Sequence, residues 1–264
     1  MPDYGLKGHA AIVTGSTSGI GQAMAQALAA EGVDVLLNGF GDAGKIEADR
    51  AALETRAGVR VLYHPADMTR PAEIADMVAT AHREFGRLDI LLNNAGIQHV
   101  APIEEFADEK WDAIVAINLS SAFHLVKAMV PGMKARRFGR IVNIASAHGL
   151  TASPFKSAYV AAKHGLVGLS KTVALELAEF GITSNTICPG YVKTPLVDQQ
   201  IAGQAKAHGI SEAAVVRDVL LVHQARKDFV RIEELAALAV FLASDQAASM
   251  TASAIAMDGG WTQH

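Results

Sequence analysis

Three residues in the middle of the chain have types and spacing suited to moving a proton. Tyr159 and Lys163 lie four positions apart in SAYVAAKHG, a spacing that puts both side chains on one face of a helix. An ammonium group beside a phenol favours the phenolate, so we expect Lys163 to lower the pKa of Tyr159 and make it a usable acid or base near neutrality. Ser146, thirteen residues earlier, can hydrogen-bond the reacting oxygen. Together these residues are candidates for a reaction centre.

The same stretch, SAHGLTASPFKSAYVAAKHG at positions 146–165, also contains His148, Lys156 and His164, which proton transfer does not obviously need. His164 directly follows Lys163 and therefore points away from the face that carries the candidate pair, so we interpret it as structural. The roles of the other two residues depend on what surrounds them.

A glycine-rich turn near the start of the chain indicates a phosphate-binding site. The first predicted strand leads into TGSTSGIG, with Gly15, Gly19 and Gly21 just before a helix. Glycines allow a tight turn and close approach of the backbone to a pyrophosphate, whose charge is met by free N–H groups and the positive helix end. The alternative is that these glycines only form a tight turn between strand and helix.

The end of the second predicted strand bears on which dinucleotide would bind. An acidic residue there would hold the adenosine ribose hydroxyls and a basic residue would meet a 2′-phosphate, but the chain has Leu37, Asn38, Gly39 and Phe40. No Arg or Lys lies in the turn 15–21 either. We therefore predict NAD rather than NADP, with Phe40 beside the adenosine or, alternatively, in the core.

Short apolar runs alternate with longer amphipathic segments along the chain. This rhythm predicts an α/β fold, a Rossmann-like doubly wound parallel sheet with helices on both faces, whose strands lack strict alternation because both faces are buried. The predicted strands span 9–14, 33–39, 59–64, 88–94, 139–146, 182–188 and 253–260. Nothing marks a domain boundary, so we predict one domain over 1–264. A helical insertion at about 195–230 is predicted as a substrate lid, or else an ordinary packing excursion.

Composition excludes several other classes of protein. The 264 residues are 50% hydrophobic and carry a net charge of -4, so no global field attracts nucleic acid or an anionic membrane. The single cysteine, Cys188, rules out an internal disulfide framework and agrees with a reducing compartment. Because no leader or stretch of 18 apolar residues is evident, we expect a soluble cytoplasmic protein that does not bind membranes.

Four motifs in a fixed order resemble the short-chain dehydrogenase/reductase family over nearly the whole chain. They are TGSTSGIG at 14–21, NNAG at 93–96, Ser146 with YVAAK at 159–163, and PG at 189–190. The resemblance implies hydride transfer between an alcohol and a carbonyl, with Asn118 as a link in a proton relay to Lys163. No metal site is predicted. The resemblance also implies which residues lie against the dinucleotide. The expected cofactor-binding residues are Gly15, Thr17, Ser18, Gly19, Ile20, Gly21, Phe40, Asp67, Met68, Asn94, Ala95, Gly96, Tyr159, Lys163, Pro189, Gly190, Val192 and Thr194.

The strings NNAGIQH, ASAHGL, KSAYVAAKHG and DGGWT resemble the D-3-hydroxybutyrate dehydrogenase branch of that family. This resemblance implies oxidation of (R)-3-hydroxybutyrate to acetoacetate in a homotetramer, with the carboxylate held by a lysine, a neutral or protonated histidine and glutamine amides. The expected substrate-binding residues are Gln98, His148, Lys156, Tyr191, Gln200 and Trp261.

Several alternatives stay open within this interpretation. Gln199 competes with Gln200 for the pocket, Trp261 suits an interface equally well, and Tyr191 replaces the tryptophan usual in that branch, which leaves the acyl-chain limit open. Other functions to be tested are reduction of a 3-oxoacyl carrier-protein or related ketone substrate, and a dinucleotide-binding regulator without catalysis.

Overall fold

The computed structural model describes residues 4–193, 197, 201, 205 and 209–263, and it is built on one sheet of seven parallel strands. The strands follow the order β3-β2-β1-β4-β5-β6-β7 across the sheet. Their bounds are β1 Ala10–Val13, β2 Asp34–Asn38, β3 Val61–His64, β4 Ile90–Asn93, β5 Gly139–Ile144, β6 Ile182–Pro189 and β7 Ala254–Met257. All seven predicted strands and their parallel pairing are confirmed.

Helices connect successive strands and cover both faces of the sheet. We number those in the described part of the chain α1 Gly19–Ala30, α2 Ala43–Ala57, α3 Pro71–Phe85, α4 Asp108–Val115, α5 Ser121–Arg136, α6 Ser157–Leu177, α7 Glu212–Ala214 and α8 Ile232–Ala243. Helix α8, with the sequence IEELAALAVFLA, buries Leu235, Ala239 and Val240.

The strands are buried on both faces, which explains why their sequences lack alternation. Every residue of β1, β5 and β6 is buried. On one face α1 and α8 contribute Met24, Leu28 and Leu235 to the core, and on the other α3 and α5 contribute Met77 and Leu125. Burial of these apolar side chains is the main stabilising contribution to such a fold.

The sheet has a reversal of strand order that creates a crevice for ligands. β1 pairs with β2 on one side and with β4 on the other, so the chain changes direction across the sheet after β3. In open parallel sheets ligands bind at such a switch point, outside the carboxyl ends of the strands. The glycine-rich turn follows β1 and the NNAG motif follows β4, which brings both to this crevice.

At the amino ends of the central strands, opposite the crevice, Asp89 forms a buried ionic cluster. Its carboxylate is completely buried and accepts hydrogen bonds from Arg87 at 2.6 Å, Arg136 at 3.2 Å and the backbone N–H of Ala10 at 3.2 Å. Burial alone would raise the pKa of Asp89, but hydrogen bonds from His9, Arg87 and the Ala10 N–H hold it at about 2. The cluster ties β1, β4 and α5 together at the amino ends of the strands.

Helices α4 and α5 form one continuous stretch through a π-helical turn at Ala116–Ser120. This Asp108–Arg136 stretch is the one helical segment among the described residues that is long and apolar enough, by length and composition, to cross a membrane. It packs within the fold instead, because α5 buries Leu125, Met129 and Met133 in the same core cluster as α3.

The insertion after β6 is described only in part. Helix α7 continues into a π-helical turn at Val215–Leu220, and a single parallel bridge joins Val192 to Val230. Val215, Leu220 and Leu221 form a small buried cluster against which Tyr191 packs. The predicted lid therefore stays a prediction.

Candidate active site

The glycine-rich turn is locked to the end of β4 by one asparagine. The side-chain amide of Asn94 donates to the carbonyl oxygens of Thr14 and Gly15, both at 3.0 Å. A Cβ atom at Gly21 would lie 2.3 Å from the Gly15 oxygen and 2.4 Å from the Asn94 amide nitrogen, so only glycine fits there. The Thr14 hydroxyl in turn accepts from the backbone N–H groups of Asn94 and Ala95.

Gly19, at the start of helix α1, faces open space. A Cβ atom at Gly19 would meet nothing within 4 Å, and Gly19 has φ +56, a conformation that favours glycine. Helix α1 begins here, and its N-cap Ser18 makes no side-chain capping bond, which leaves the first N–H groups available. The turn therefore fits a dinucleotide pyrophosphate, with Thr17, Ser18 and Ile20 beside it.

The side expected to hold adenosine is also shaped around glycine. Thr17 donates from its hydroxyl to the Phe40 carbonyl at 3.0 Å, and a Cβ atom at Gly39 would lie 2.6 Å from that hydroxyl. Phe40 is 67% exposed, so it is not a core aromatic and its ring is free to face a base. Asn38 is buried and donates to the carbonyl of Ala66 at 2.9 Å, which makes it structural.

Two residues expected near the adenine differ in their surroundings. The Asp67 carboxylate accepts from the backbone N–H and the hydroxyl of Thr69, both at 2.8 Å, and these bonds lower its pKa. The Met68 side chain is only 6% exposed and packs in the core with α3. Its backbone is thus the part of Met68 that remains to contact a ligand.

Ser146, Tyr159 and Lys163 come together at the carboxyl end of β5. Lys163 is buried, donates to the carbonyl oxygen of Ile144 at 2.8 Å, and holds its nitrogen 5.6 Å from the Tyr159 ring centroid. Ser146 caps the short turn Ala147–Gly149 and hydrogen-bonds the Tyr159 side chain. The helical spacing thus brings the predicted groups into contact range.

The predicted lowering of the Tyr159 pKa is wrong. Burial raises the pKa of Tyr159, and the hydrogen bond with Ser146 opposes this only in part. Burial also lowers the pKa of Lys163, to about 8, because the ammonium group is desolvated. The expected attraction between phenolate and ammonium is thus outweighed by the cost of burying both groups.

Asn118 lies in the π-helical turn, where helical hydrogen bonding is interrupted. Its amide accepts from the Ile97 N–H and donates to the Ile97 carbonyl, both at 2.9 Å. A Cβ atom at Gly96 would lie 3.5 Å from the Asn118 amide oxygen and 3.6 Å from the Lys163 nitrogen. The site accordingly brings Gly96, Asn118 and Lys163 together, and π-helical turns are frequent at functional sites.

His148 is buried beside the reacting groups and is neutral. Its Nδ1 lies 3.4 Å from the Ser146 hydroxyl, its Nε2 lies 2.9 Å from the Ser153 hydroxyl, and its ring meets Tyr159 edge-on at 5.9 Å. Burial, followed by the nearby charge of Lys156, lowers the pKa of His148 to about 4. Of the two protonation states considered from the sequence, the structure favours the neutral one.

Lys156 lies at the start of α6, three residues before Tyr159. It is half-buried, and burial lowers its pKa. Within the described residues, no carboxylate forms an ion pair with it. The Lys156 ammonium is therefore a partly desolvated cation next to a neutral imidazole, an environment suited to a small carboxylate.

Trp261 lies among rings from three separate segments. It is 9% exposed and meets His148 edge-on at 5.1 Å, while Tyr191 and His223 lie nearly parallel to it at 5.8 Å and 5.9 Å. Asp258 holds the turn before it, accepting from the hydroxyl of Thr262 at 2.6 Å. This arrangement favours a pocket wall over an interface for Trp261.

The remaining predicted residues differ in where they lie relative to the site. Gln98 is exposed and has no hydrogen-bond partner in the part of the chain that the structure describes. Pro189 ends β6, and Gly190 and Val192 follow it at the same edge of the sheet. Thr194, Gln199 and Gln200 lie outside the described residues. His164 is exposed and bonds the Val160 carbonyl, in agreement with a structural role.

Sequence reasoning missed two residues that contact this site. His223 stacks on Trp261, and Gln224, only 1% exposed, accepts a hydrogen bond from the backbone N–H of Tyr191 at 3.1 Å. Both belong to the segment LLVHQARKDFV, which has no motif or periodicity that would single them out.

Comparison with known proteins agrees with this geometry. The family model for short chain dehydrogenase matches residues 9–205. A D-beta-hydroxybutyrate dehydrogenase of Rhizobium meliloti (strain 1021) is 56% identical over 252 residues, covering 96% of this chain and 98% of that protein. The protein of the same name from Cupriavidus necator is 54% identical over 256 residues, covering 97% and 98%.

More distant proteins also match nearly the whole chain. A 3-oxoacyl-[acyl-carrier-protein] reductase of Haemophilus influenzae is 36% identical over 262 residues, covering 97% of this chain and 98% of that protein. The crystal structure of a candidate short-chain alcohol dehydrogenase from Sinorhizobium meliloti 1021 superposes with a TM-score of 0.87 at 32% identity, covering 99% of each chain. The predicted fold class and family resemblance are confirmed, and the chain belongs to the short-chain dehydrogenase family of oxidoreductases.

Proposed function

We propose that this protein interconverts (R)-3-hydroxybutyrate and acetoacetate with NAD(H). The observation that carries the proposal is the Lys156 ammonium, half-buried and unpaired by any described carboxylate, beside neutral His148 and three residues from Tyr159. A 3-hydroxy acid has its carboxylate two carbons from the carbon that loses hydride, so one cation near the reacting phenol suffices to orient it. The names of the two relatives above 50% identity support the same substrate.

The chain's own residues would divide the work of the reaction. Tyr159 accepts the hydroxyl proton, and the Ser146 hydroxyl bonds the substrate oxygen as it becomes a carbonyl. Bound NAD supplies the hydride acceptor. Lys163 binds the cofactor ribose, and Asn118 is a link in the proton relay to Lys163. His148 and Lys156 bind the substrate carboxylate. In the reverse direction, a Tyr159 whose pKa is raised by burial is a suitable proton donor.

The preference for NAD over NADP rests on the charges around the adenosine side. A 2′-phosphate needs a nearby cation. The first basic residue after β2 is Lys45, and its ammonium is paired with Asp49 at 2.6 Å. Asp42 accepts the Lys45 backbone N–H and adds a negative charge to the same loop. These features support NAD as the cofactor.

The test is a kinetic panel of (R)- and (S)-3-hydroxy acids of increasing length, each with NAD and NADP. We expect the highest kcat/KM with (R)-3-hydroxybutyrate and NAD. Lys156→Met should raise KM for the acid by about 10-fold to 100-fold, the value of a charge-assisted hydrogen bond, while NADH affinity is unchanged. The exposed Lys171→Met on the same helix is the control. Higher activity on a 3-oxoacyl carrier protein, or none on any 3-hydroxy acid, would reject the proposal.

We propose further that the protein is a cytoplasmic homotetramer of single-domain subunits. The edge strand β7 pairs with β6 on one side, and its four residues are each half-buried. Helices α5 and α6 carry exposed Phe123 and Leu175, the latter 76% exposed. Such apolar groups suit contacts between copies of the chain. Analytical ultracentrifugation tests the assembly, and a stable monomer would contradict it.

A further inference from the structure

The pocket wall around Trp261 depends on rings from segments far apart in the sequence. Tyr191 follows β6, His223 follows the π-helical turn at Val215–Leu220, and both lie nearly parallel to Trp261, at interplanar angles of 6° and 15°. His148 connects this stack to the reaction centre, because it contacts Trp261 and Tyr159 with ring centroids 5.1 Å and 5.9 Å away. His148 thus lies between the Tyr159 phenol and the ring stack.

A single buried amide holds two of these segments together. The Gln224 oxygen accepts from the Tyr191 N–H at 3.1 Å, and its nitrogen donates to the carbonyls of Arg226 at 3.3 Å and Asp228 at 3.1 Å. Gln224 is 1% exposed and directly follows His223. Its bonds therefore set the position of the Tyr191 backbone and the turn that begins at His223.

Gln224 is also wedged between two glycines. A Cβ atom at Gly190 would lie 2.6 Å from the Gln224 oxygen, and one at Gly259 would lie 3.0 Å from the Gln224 nitrogen. Gly190 precedes Tyr191, and Gly259 lies two residues before Trp261. The segments of all three stacked rings consequently contact one side chain.

We propose that Gln224 is a positioning residue that sets the wall formed by Tyr191, His223 and Trp261 and thereby limits the acyl chain to short 3-hydroxy acids. The inference rests on the proposed function. Without the amide, the Tyr191 N–H and two carbonyls lose their buried partner and the turn relaxes to find others. The rings then lose their fixed spacing, and the pocket admits longer chains.

The test compares Gln224→Met with a matched control, Asn185→Leu. Asn185 is a buried amide that also bonds the backbone of a neighbouring segment, donating to the Met250 carbonyl and accepting from Ser253, but it has no contact with the ring stack. For Gln224→Met we expect the ratio of kcat/KM for (R)-3-hydroxypentanoate over (R)-3-hydroxybutyrate to rise about tenfold, the value of one methylene in a pocket. The rise should come mainly from KM, and Asn185→Leu should leave the ratio unchanged.

A second readout follows the wall without any substrate. In a Trp111→Phe background Trp261 is the one remaining tryptophan, so its emission reports on the stack. Gln224→Met should shift that emission while NADH affinity stays unchanged, and Asn185→Leu should not shift it. His223→Ala, a change at an exposed ring, should alter the emission and the kcat/KM ratio in the same directions as Gln224→Met does.

Each outcome decides between the two proposals. If the ratio or the Trp261 emission is equal in the wild type, Gln224→Met and His223→Ala, the wall is not set as proposed. If Gln224→Met does not fold, unchanged behaviour of His223→Ala alone overturns the inference. If the wild type is inactive on 3-hydroxybutyrate, the proposed function fails, while the emission test of Gln224 keeps its meaning.

Discussion

Replacing His148 with glutamine should change how the stability of the protein depends on pH. His148 is 4% exposed, and burial with the nearby Lys156 charge lowers its pKa from 6.5 to about 4. The unfolded chain therefore binds the proton more tightly than the folded protein across that window. The contribution of the neutral ring is fully present above the unfolded pKa and is lost as the pH falls toward about 4.

The size of this effect follows from the shift itself. Crossing the whole window costs about 3 kcal/mol of unfolding free energy, and going only from about pH 7.5 to about pH 5 costs about 2 kcal/mol. At about pH 7.5, His148→Gln should be less stable than the wild type by about 1–2 kcal/mol, because ring contacts and a hydrogen bond are lost. At about pH 5 this gap should shrink by about 2 kcal/mol, since only the wild type carries the titrating ring.

The assay is urea denaturation of both proteins at the two pH values and one fixed protein concentration. Ser153→Ala is the control, because it removes the hydroxyl 2.9 Å from the His148 Nε2 but keeps the imidazole. Its stability should decrease with falling pH in parallel with the wild type. A gap between wild type and His148→Gln that is equal at both pH values would refute the assignment of a neutral, buried His148.

Three further predictions concern the ionic cluster, the glycine-rich turn and the reacting phenol. Asp89→Asn should lower the unfolding free energy by about 3–5 kcal/mol in urea denaturation. The control Asp49→Asn, at a partly exposed carboxylate, should lower it by less than about 1 kcal/mol, and equal losses would contradict the cluster's importance. Asn94→Ala should weaken NADH binding about tenfold in fluorescence titration, because the turn loses both hydrogen bonds from the Asn94 side chain. An unchanged affinity would count against the role of Asn94 in shaping the turn. Because burial raises the Tyr159 pKa, kcat/KM for oxidation should rise with pH and that for reduction should fall, and a flat profile would argue against Tyr159 as the acid and base.

Most of the fold could be predicted because its strands and helices are regular. The seven strands follow from short apolar runs, and burial on both faces explains their lack of alternation. Helix α8 is harder to predict, because IEELAALAVFLA is apolar on nearly every side and this hides the helical period. The π-helical turn at Ala116–Ser120 could not be predicted either, because nothing in its local sequence distinguishes it from an ordinary α-helix.

The reaction centre was more predictable than the pKa values within it. The spacing of Tyr159 and Lys163 on one helix face requires only helical geometry, so their contact follows from the sequence. The pKa of Tyr159 depends on how much water reaches the ring, and that is set by packing around it. The same is true of His148, whose neutral state depends on burial and on Lys156.

Reaction type and substrate choice therefore have different structural origins in this chain. Ser146, Tyr159 and Lys163 are placed by one strand end and one helix, so a short motif suffices to specify them. The rings of Tyr191, His223 and Trp261 come from three separate segments, and Gln224 bonds both the Tyr191 backbone and the turn that follows His223. A substitution at any of these positions can reshape the wall while the reacting groups stay where they are. A substitution at Tyr191, whose ring stacks on Trp261, is for that reason expected to change the acyl-chain limit and to leave the hydride and proton transfer intact.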